Sequence, residues 1–269
     1  MAELREVWRI ADEARFDHLW NFDHLAAIGD GGPDRPVFEG WTILAAMAAA
    51  TKHVRIGCMV TGNTYRHPVL LAKEAATVDH LSDGRLEFGI GAAWAEIEHQ
   101  MYGFDGLDHR VGRLSEALQV IRSLWTQQAT TFEGRYYHLH DAVFNPKPLQ
   151  TPHPPIWIGA GGETTLRLVA KYADVWNAIF AEPDETRRMI ETLVAACAAI
   201  GRDPSEIRRS FQLRWDGEST DEVIETSGSM AELGFTEQVV YLAGGHVART
   251  AEKLANLLPE LRRAQPVAS

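Results

Sequence analysis

Cysteine is nearly absent from this chain: Cys58 and Cys197 are the two in 269 residues, and they lack C-x-x-C spacing. That excludes a disulfide-stapled scaffold and a zinc ribbon, and it suits a reducing, cytoplasmic compartment. Long apolar runs are also missing. No stretch of about twenty apolar residues occurs, so no membrane span is expected; the mean hydropathy is −0.20. No charged-then-apolar leader opens the sequence, so no secretory signal is expected. Positive charge is scarce. Lys and Arg total 26 against 37 Asp and Glu, a net charge of −11, which argues against nucleic acid as a partner. An anionic small molecule would need a local basic patch or backbone N–H groups.

What is present is a sizeable core, with 45% hydrophobic residues, and a strand–helix rhythm. "ELREVWRIADEA" places Leu4, Val7, Trp8 and Ala11 at helical spacing. Strands are expected at Leu19–Phe22, in "VRIGCMV", "GRLEFGIG", "PPIWIG", "DVWNAIF", "IRRSFQLRW" and "TEQVVYLAG", each followed by a helical pattern. Gly201 reads as a helix stop. Such alternation implies a parallel sheet with helical crossovers. Two architectures fit: a (β/α)8 TIM-type barrel, which takes about 250 residues, and a doubly wound open sheet. The barrel is preferred because polar or glycine lips follow at least four strands, whereas a doubly wound sheet gathers them at one switch point. Residues 131–155 break the rhythm and read as a hairpin followed by a Pro-rich connector. With no composition shift, residues 1–269 read as a single domain.

The lips carry the candidate chemistry. "RIGCMVTGNTYRHP" runs from a buried strand into a polar lip, Thr61 to His67, longer than a turn requires. Asp23 and His24 end the first strand, where an imidazole can move a proton and a carboxylate can hold or accept one; a capping aspartate beside a surface histidine would look the same. "GIGAAWAEIEH" and "IGAGGETTLRL" are glycine lips. The second has the strand–loop–helix order that presents N–H groups to phosphate, though neither matches the dinucleotide fingerprint and each also reads as a tight turn. Glu96 and Glu98 are spaced as a carboxylate pair, but acids near a helix start are ordinary. His138 and His140 in "HLHD" lack a recognisable further ligand, so no metal site is expected.

Together these pieces resemble the luciferase-like monooxygenase superfamily, in particular its branch using the deazaflavin F420. The resemblance runs from about residue 3 to about residue 260 and is carried by "FDHL", "VTGNTYRHP", "DHLSDGRLEFGIGAAWAEIEH", "RLSEALQVIRSLW" and "NPKPLQTPHPPIWIGAGGETTLRLVAKYADVWN". It implies a (β/α)8 barrel with the cofactor ring in its mouth. His24 matches the position near the ring's reactive carbon, with Asp23 its neighbour. A non-proline cis peptide backing the ring is implied among Cys58, Met59, Val60 and Thr61, with Asn63 on the adjoining lip. Ala92, Ala93 and Trp94 match the segment along the ring's polar edge, Glu96 is placed with them, and Gly159, Ala160, Gly161 and Gly162 match the phosphate loop. Arg66, His67, Lys73, Arg167 and Lys171 are candidate cations for the anionic tail.

The expected function is hydride transfer between F420 and a small organic substrate by a homo-oligomer, a dimer in the first instance. The alternatives are an FMN-dependent monooxygenase and a non-catalytic F420-binding protein. Two departures from the family stand out. Arg15 occupies a position where members often have glycine, and helix periodicity begins at Leu4, so the chain is expected to lack barrel strand one. That leaves the strand at Leu19 and the one at Gln238 as expected edges, with a longer native product as the suggested explanation.

Overall fold

The computed structural model describes residues 1–28, 32–179 and 182–264. The chain divides into two compact units, Trp20–Ala49 with Arg55–Trp157, and Met1–Leu19 with Ala50–Val54 and Ile158–Ser269.

The Trp20–Trp157 unit takes the end of β1 (His18–Asn21), most of α2 (Gly40–Ala50), β2 (Arg55–Cys58), β3 (Thr61–Gly62), α3 (Pro68–Leu81), β4 (Leu86–Gly91), α4 (Glu96–Tyr102), α5 (Arg110–Thr126), the antiparallel hairpin β5 (Ala129–Glu133) and β6 (His138–Val143), and the start of β7 (Ile156–Gly159). The sequence reads one strand over Val54–Val60; the structure has two. Both pair in parallel with β4, β2 through Gly57↔Glu87 and β3 through Thr61↔Ile90. Three residues on one side, 58–60, therefore face two on the other, 88 and 89, the signature of a bulge. The peptide Met59–Val60 within it is cis. Gly89 lies beneath: a Cβ there would collide with the Cys58 carbonyl oxygen, so only glycine admits this approach. Phe88 anchors the layer, its ring centroid 5.0 Å from Trp125 and 6.2 Å from Trp41.

The other unit contains α1 (Ala2–Glu13), α6 (Glu163–Tyr172), β8 (Val175–Ile179), α7 (Pro183–Ala198), β9 (Arg208–Trp215), α8 (Thr220–Glu232), β10 (Glu237–Leu242) and α9 (Val247–Ala264). Phe180, the last residue of the strand read from "DVWNAIF", lies outside the described residues. β8, β9 and β10 are parallel, with Asn177↔Ser210 and Glu237↔Ser210 in register. Trp215, Val223, Leu254 and Leu261 form a buried cluster against which Phe16 and Val240 pack; burying such a side chain contributes about 1.5–3 kcal/mol. The Asp12 carboxylate accepts from the N–H groups of Lys52, His53 and Val54, which ties the end of α1 to that segment.

Among the described residues, β1 has β2 as its neighbour and β10 has β9, so these two strands end the hydrogen-bonded order, as expected from the sequence. Gly201 follows α7 with φ +71°, the conformation a helix stop uses. Arg15 adopts φ 59°. That left-handed conformation costs a non-glycine residue about 1 kcal/mol.

Candidate active site

β1 ends at Asn21 and delivers Asp23 and His24 to the carboxyl side of the strands. Asn21 fixes this turn. Its Nδ2 donates to the Gly40 carbonyl at 2.8 Å, and its own carbonyl accepts from Met59 N–H at 2.9 Å. The start of the lip is therefore held against the strand end.

The two neighbours then part ways. Asp23 is buried and turns to Arg66, which donates to both carboxylate oxygens at 2.7 and 2.8 Å. Gly62 N–H adds a third bond at 3.2 Å. Burial pushes the Asp23 carboxyl up, with Arg66 and the Gly62 N–H opposing it. Arg66 also pairs with Glu39, and with Glu74 at 3.3 Å. Asp23 is thus committed to holding the lip, and Arg66 is committed to three carboxylates.

His24 faces the other way. Its Nδ1 is 2.8 Å from Glu98 Oε2, and among the described residues Nε2 has no hydrogen-bond partner. The ring stands between aromatic neighbours, 5.8 Å from Trp94 and 6.2 Å from Phe22 between centroids. Both neighbours are exposed. His99 provides the contrast: its Nδ1 faces the Ala95 carbonyl at 2.9 Å and its Nε2 faces Thr64 Oγ1 at 2.7 Å, so both nitrogens are taken.

Glu98 is fully buried. Its Oε1 accepts from Leu25 N–H at 2.6 Å and Ala26 N–H at 3.0 Å, and its Oε2 accepts from Tyr65 Oη at 2.5 Å. Burial raises the Glu98 carboxyl, but the bonds from Tyr65, His24 and the two backbone N–H groups outweigh it, leaving the group below the usual glutamate range. Burial and the Glu98 charge push the Tyr65 phenol up. The sequence places Tyr65 on the polar lip and Glu98 in a carboxylate pair with Glu96, and joins neither of them to His24. A signal for Glu98 existed: Ala95, Glu98 and His99 fall at i, i+3 and i+4, one helical face, and all three are buried. Glu96, on the opposite side, is exposed and accepts from Gln100.

Cys58, Met59, Thr61 and Asn63 are buried and Val60 half-buried. Cys58 Sγ contacts Asn21 Oδ1 at 3.3 Å, and burial raises its thiol well above the ordinary range. Thr61 Oγ1 accepts from Trp41 Nε1 at 3.1 Å, and Asn63 N–H donates to the Gly91 carbonyl at 3.0 Å. Ala92 and Ala93 are half-buried; Ala93 has φ 65°, and its carbonyl accepts from Arg110 Nη1 at 3.0 Å.

In the other unit, Gly159 ends β7, Ala160 N–H donates to the Asn177 carbonyl at 3.2 Å, and Gly162 stands as the N-cap of α6 without a side-chain cap bond. Gly161 and Gly162 are exposed with no left-handed φ. Among the described residues, a Cβ at Gly161 would meet only Met189 Sδ at 3.7 Å, and one at Gly162 only Thr165 Oγ1 at 3.8 Å, both ordinary contacts. Among the described residues, nothing requires glycine at these two positions. The space in front of bare N–H groups at a helix start suits an anionic oxygen cluster.

The candidate cations are engaged elsewhere. His67 accepts from Val69 N–H, and burial lowers its pKa. Lys73 donates to the Asn145 carbonyl and lies 3.7 Å from the Phe144 ring centroid. Arg167 pairs with Glu163, and Lys171 lies 5.0 Å from the Tyr172 ring centroid. His138 and His140 both approach Glu133 on the exposed hairpin. Among the described residues, no group of three or more His, Cys, Asp or Glu side chains is placed to hold a metal ion, and no helix is long and apolar enough to cross a membrane.

The family description luciferase-like monooxygenase matches residues 1–257. A phthiodiolone/phenolphthiodiolone dimycocerosates ketoreductase of Mycobacterium bovis is 35% identical over 174 residues, 63% of this chain and 45% of its own. The chain thus spans less than half the length of the ketoreductase it matches. An uncharacterized protein of Mycobacterium bovis is 31% identical over 225 residues, 81% of this chain and 76% of its own. An F420-dependent secondary alcohol dehydrogenase, solved in complex with an F420–acetone adduct, superposes with TM-score 0.85 at 20% identity, covering 97% of this chain and 95% of that one. The coenzyme F420-dependent tetrahydromethanopterin reductase of Methanopyrus kandleri gives 0.78 at 16% identity, with the same coverage of 97% and 95%. These likenesses identify the fold as the luciferase-like TIM-type barrel, to which the described residues contribute seven strand–helix units.

Proposed function

The chain belongs to the luciferase-like monooxygenase family, and from that premise we propose an F420-dependent oxidoreductase that interconverts a small ketone and its secondary alcohol. The observation that carries this reading is the His24 ring at the end of β1, held at Nδ1 by Glu98 and, among the described residues, open at Nε2. Ketone and alcohol differ by one hydride at carbon and one proton at oxygen, and an imidazole nitrogen open to the site can handle the proton. When bound, the deazaflavin supplies or takes up the hydride.

The chain's own residues would divide the remaining work. The bulge at Met59–Val60, with Cys58, Thr61 and Asn63, would back the cofactor ring. Ala92 and Ala93 would run along the ring's polar edge. Phe22 and Trp94 would flank the substrate carbon and exclude water with apolar surface. Asp23, through Arg66, would keep the lip in place. The Gly159–Gly162 loop would meet the cofactor phosphate through backbone N–H groups, because the nearby cations are already engaged. Glu96, exposed, would contribute only charge near the segment. The ketoreductase name of one relative and the secondary-alcohol-dehydrogenase title of one structural neighbour support the substrate class. A cytoplasmic homodimer is part of the reading, supported by the family resemblance and by two buried free cysteines.

Equilibrium binding of F420 and of FMN to the purified protein tests the reading, followed by an assay of the bound cofactor with secondary alcohols and ketones. F420 binding with turnover supports it. FMN binding with oxygen consumption favours a flavin monooxygenase. F420 binding with no turnover of any substrate favours a non-catalytic carrier.

A further inference from the structure

We propose that Glu98 is a positioning residue that fixes the His24 tautomer, with the proton on Nδ1 and a bare lone pair on Nε2, making Nε2 the proton acceptor for an alcohol substrate. This rests on the oxidoreductase reading for its catalytic half and on geometry alone for its tautomer half. Glu98 has four partners at its two oxygens, a full complement for a carboxylate. Leu25 N–H, Ala26 N–H and Tyr65 O–H act on it as donors. An ionised carboxylate only accepts, so the fourth partner, Nδ1 at 2.8 Å, must also donate. A neutral imidazole that donates through one nitrogen accepts through the other.

Nε2 is left facing the site beside Trp94 and Phe22. In alcohol oxidation the hydroxyl proton would pass to Nε2, and a bound deazaflavin would supply the acceptor for the carbon-bound hydrogen and its electron pair. The C–H and O–H bonds would break and a C=O bond would form. In the reverse direction the protonated ring returns the proton to the nascent alkoxide.

Glu98→Gln inverts the arrangement without changing its size. Two backbone N–H groups donate at the Oε1 position, so the amide oxygen must stay there. The amide nitrogen then faces Nδ1 and can only donate to it. Nδ1 becomes the acceptor and the proton moves to Nε2, where it blocks proton uptake. Tyr65→Phe removes one donor and leaves the carboxylate on Nδ1, so it preserves the parent tautomer.

The experiment is long-range proton–nitrogen NMR of ring-labelled, ligand-free protein at a pH where the imidazole is neutral, paired with turnover. The parent and Tyr65→Phe are expected to show His24 protonated on Nδ1, and Glu98→Gln protonated on Nε2. Turnover of Glu98→Gln is expected to fall about 10²-fold or more, with F420 affinity within about threefold. An unchanged tautomer in Glu98→Gln overturns the inference, as does an inverted tautomer with unchanged turnover. Should Glu98→Gln not fold, Glu98→Asp, whose shorter carboxylate releases Nδ1, is expected to give mixed tautomers; a parent-like spectrum there overturns the inference too. The spectrum needs no cofactor, so it decides the tautomer even if no F420 turnover is found.

Discussion

The His24 end of β1 and the Gly159–Gly162 loop are built in opposite ways. Around His24, the charged groups are joined by side chains from elsewhere: Asp23 to Arg66, Arg66 to Glu39 and Glu74, His24 Nδ1 to Glu98, and Glu98 to Tyr65. The glycine loop uses backbone and the absence of side chains, with Gly161 and Gly162 leaving open space. Side-chain networks position a proton to within a hydrogen bond but fail when one member is lost. A bare loop tolerates change until the change fills the space.

The largest effect that could break this contrast concerns Arg66. Arg66→Met removes the cation shared by Asp23, Glu39 and Glu74 and leaves the buried Asp23 carboxylate without its charge partner. It should destabilise the fold by about 3–5 kcal/mol, read as a lower urea midpoint. The matching change beside the loop, Arg167→Met, removes only an exposed pair with Glu163 and should shift stability by less than about 1 kcal/mol. Comparable losses from the two would erase the distinction.

Next in size is His24→Ala. It should lower turnover by about 10²-fold or more while cofactor affinity stays within about tenfold. Loss of binding with residual rate unchanged would recast His24 as a cofactor support. Gly161→Val should do the reverse: it weakens F420 binding by about tenfold or more by filling the approach to the N–H groups, and leaves the melting temperature unchanged. Equal affinities in a fluorescence titration would put the phosphate elsewhere. Arg15→Gly carries the smallest effect. Relief of the left-handed backbone should stabilise by about 1 kcal/mol, a rise of about 2–4 °C in Tm.

The same contrast decides what could be read from the sequence. The glycine loop is contiguous, so "IGAGGETTLRL" displays strand, loop and helix in one line, and the structure has β7, the loop and α6 there. Strand–helix order is equally local, which is why seven units could be counted. The His24 site is assembled from residues 23, 24, 39, 62, 65, 66, 74 and 98, and no single segment shows which acid meets which base. Arg66 reads as a free cation until the three carboxylates around it are seen. Glu98 reads as a partner of Glu96 because they lie two apart, yet on α4 that spacing puts one inside and one outside. The bulge between β2 and β3 is implied by the family resemblance and not by the local pattern, because its extra residue appears only in the register against β4. Arg15 was legible only as a departure from the family's usual glycine, and its φ of 59° gives that departure a physical meaning.

The central claim is hydride transfer with the proton handled at His24. Its most direct measurement uses a secondary alcohol deuterated at the carbinol carbon, incubated with purified protein and oxidised F420 under air. The account predicts one deuterium in the reduced cofactor for each ketone formed, and no oxygen consumed. Ketone formed with no label in the cofactor, or with stoichiometric loss of oxygen, would contradict it.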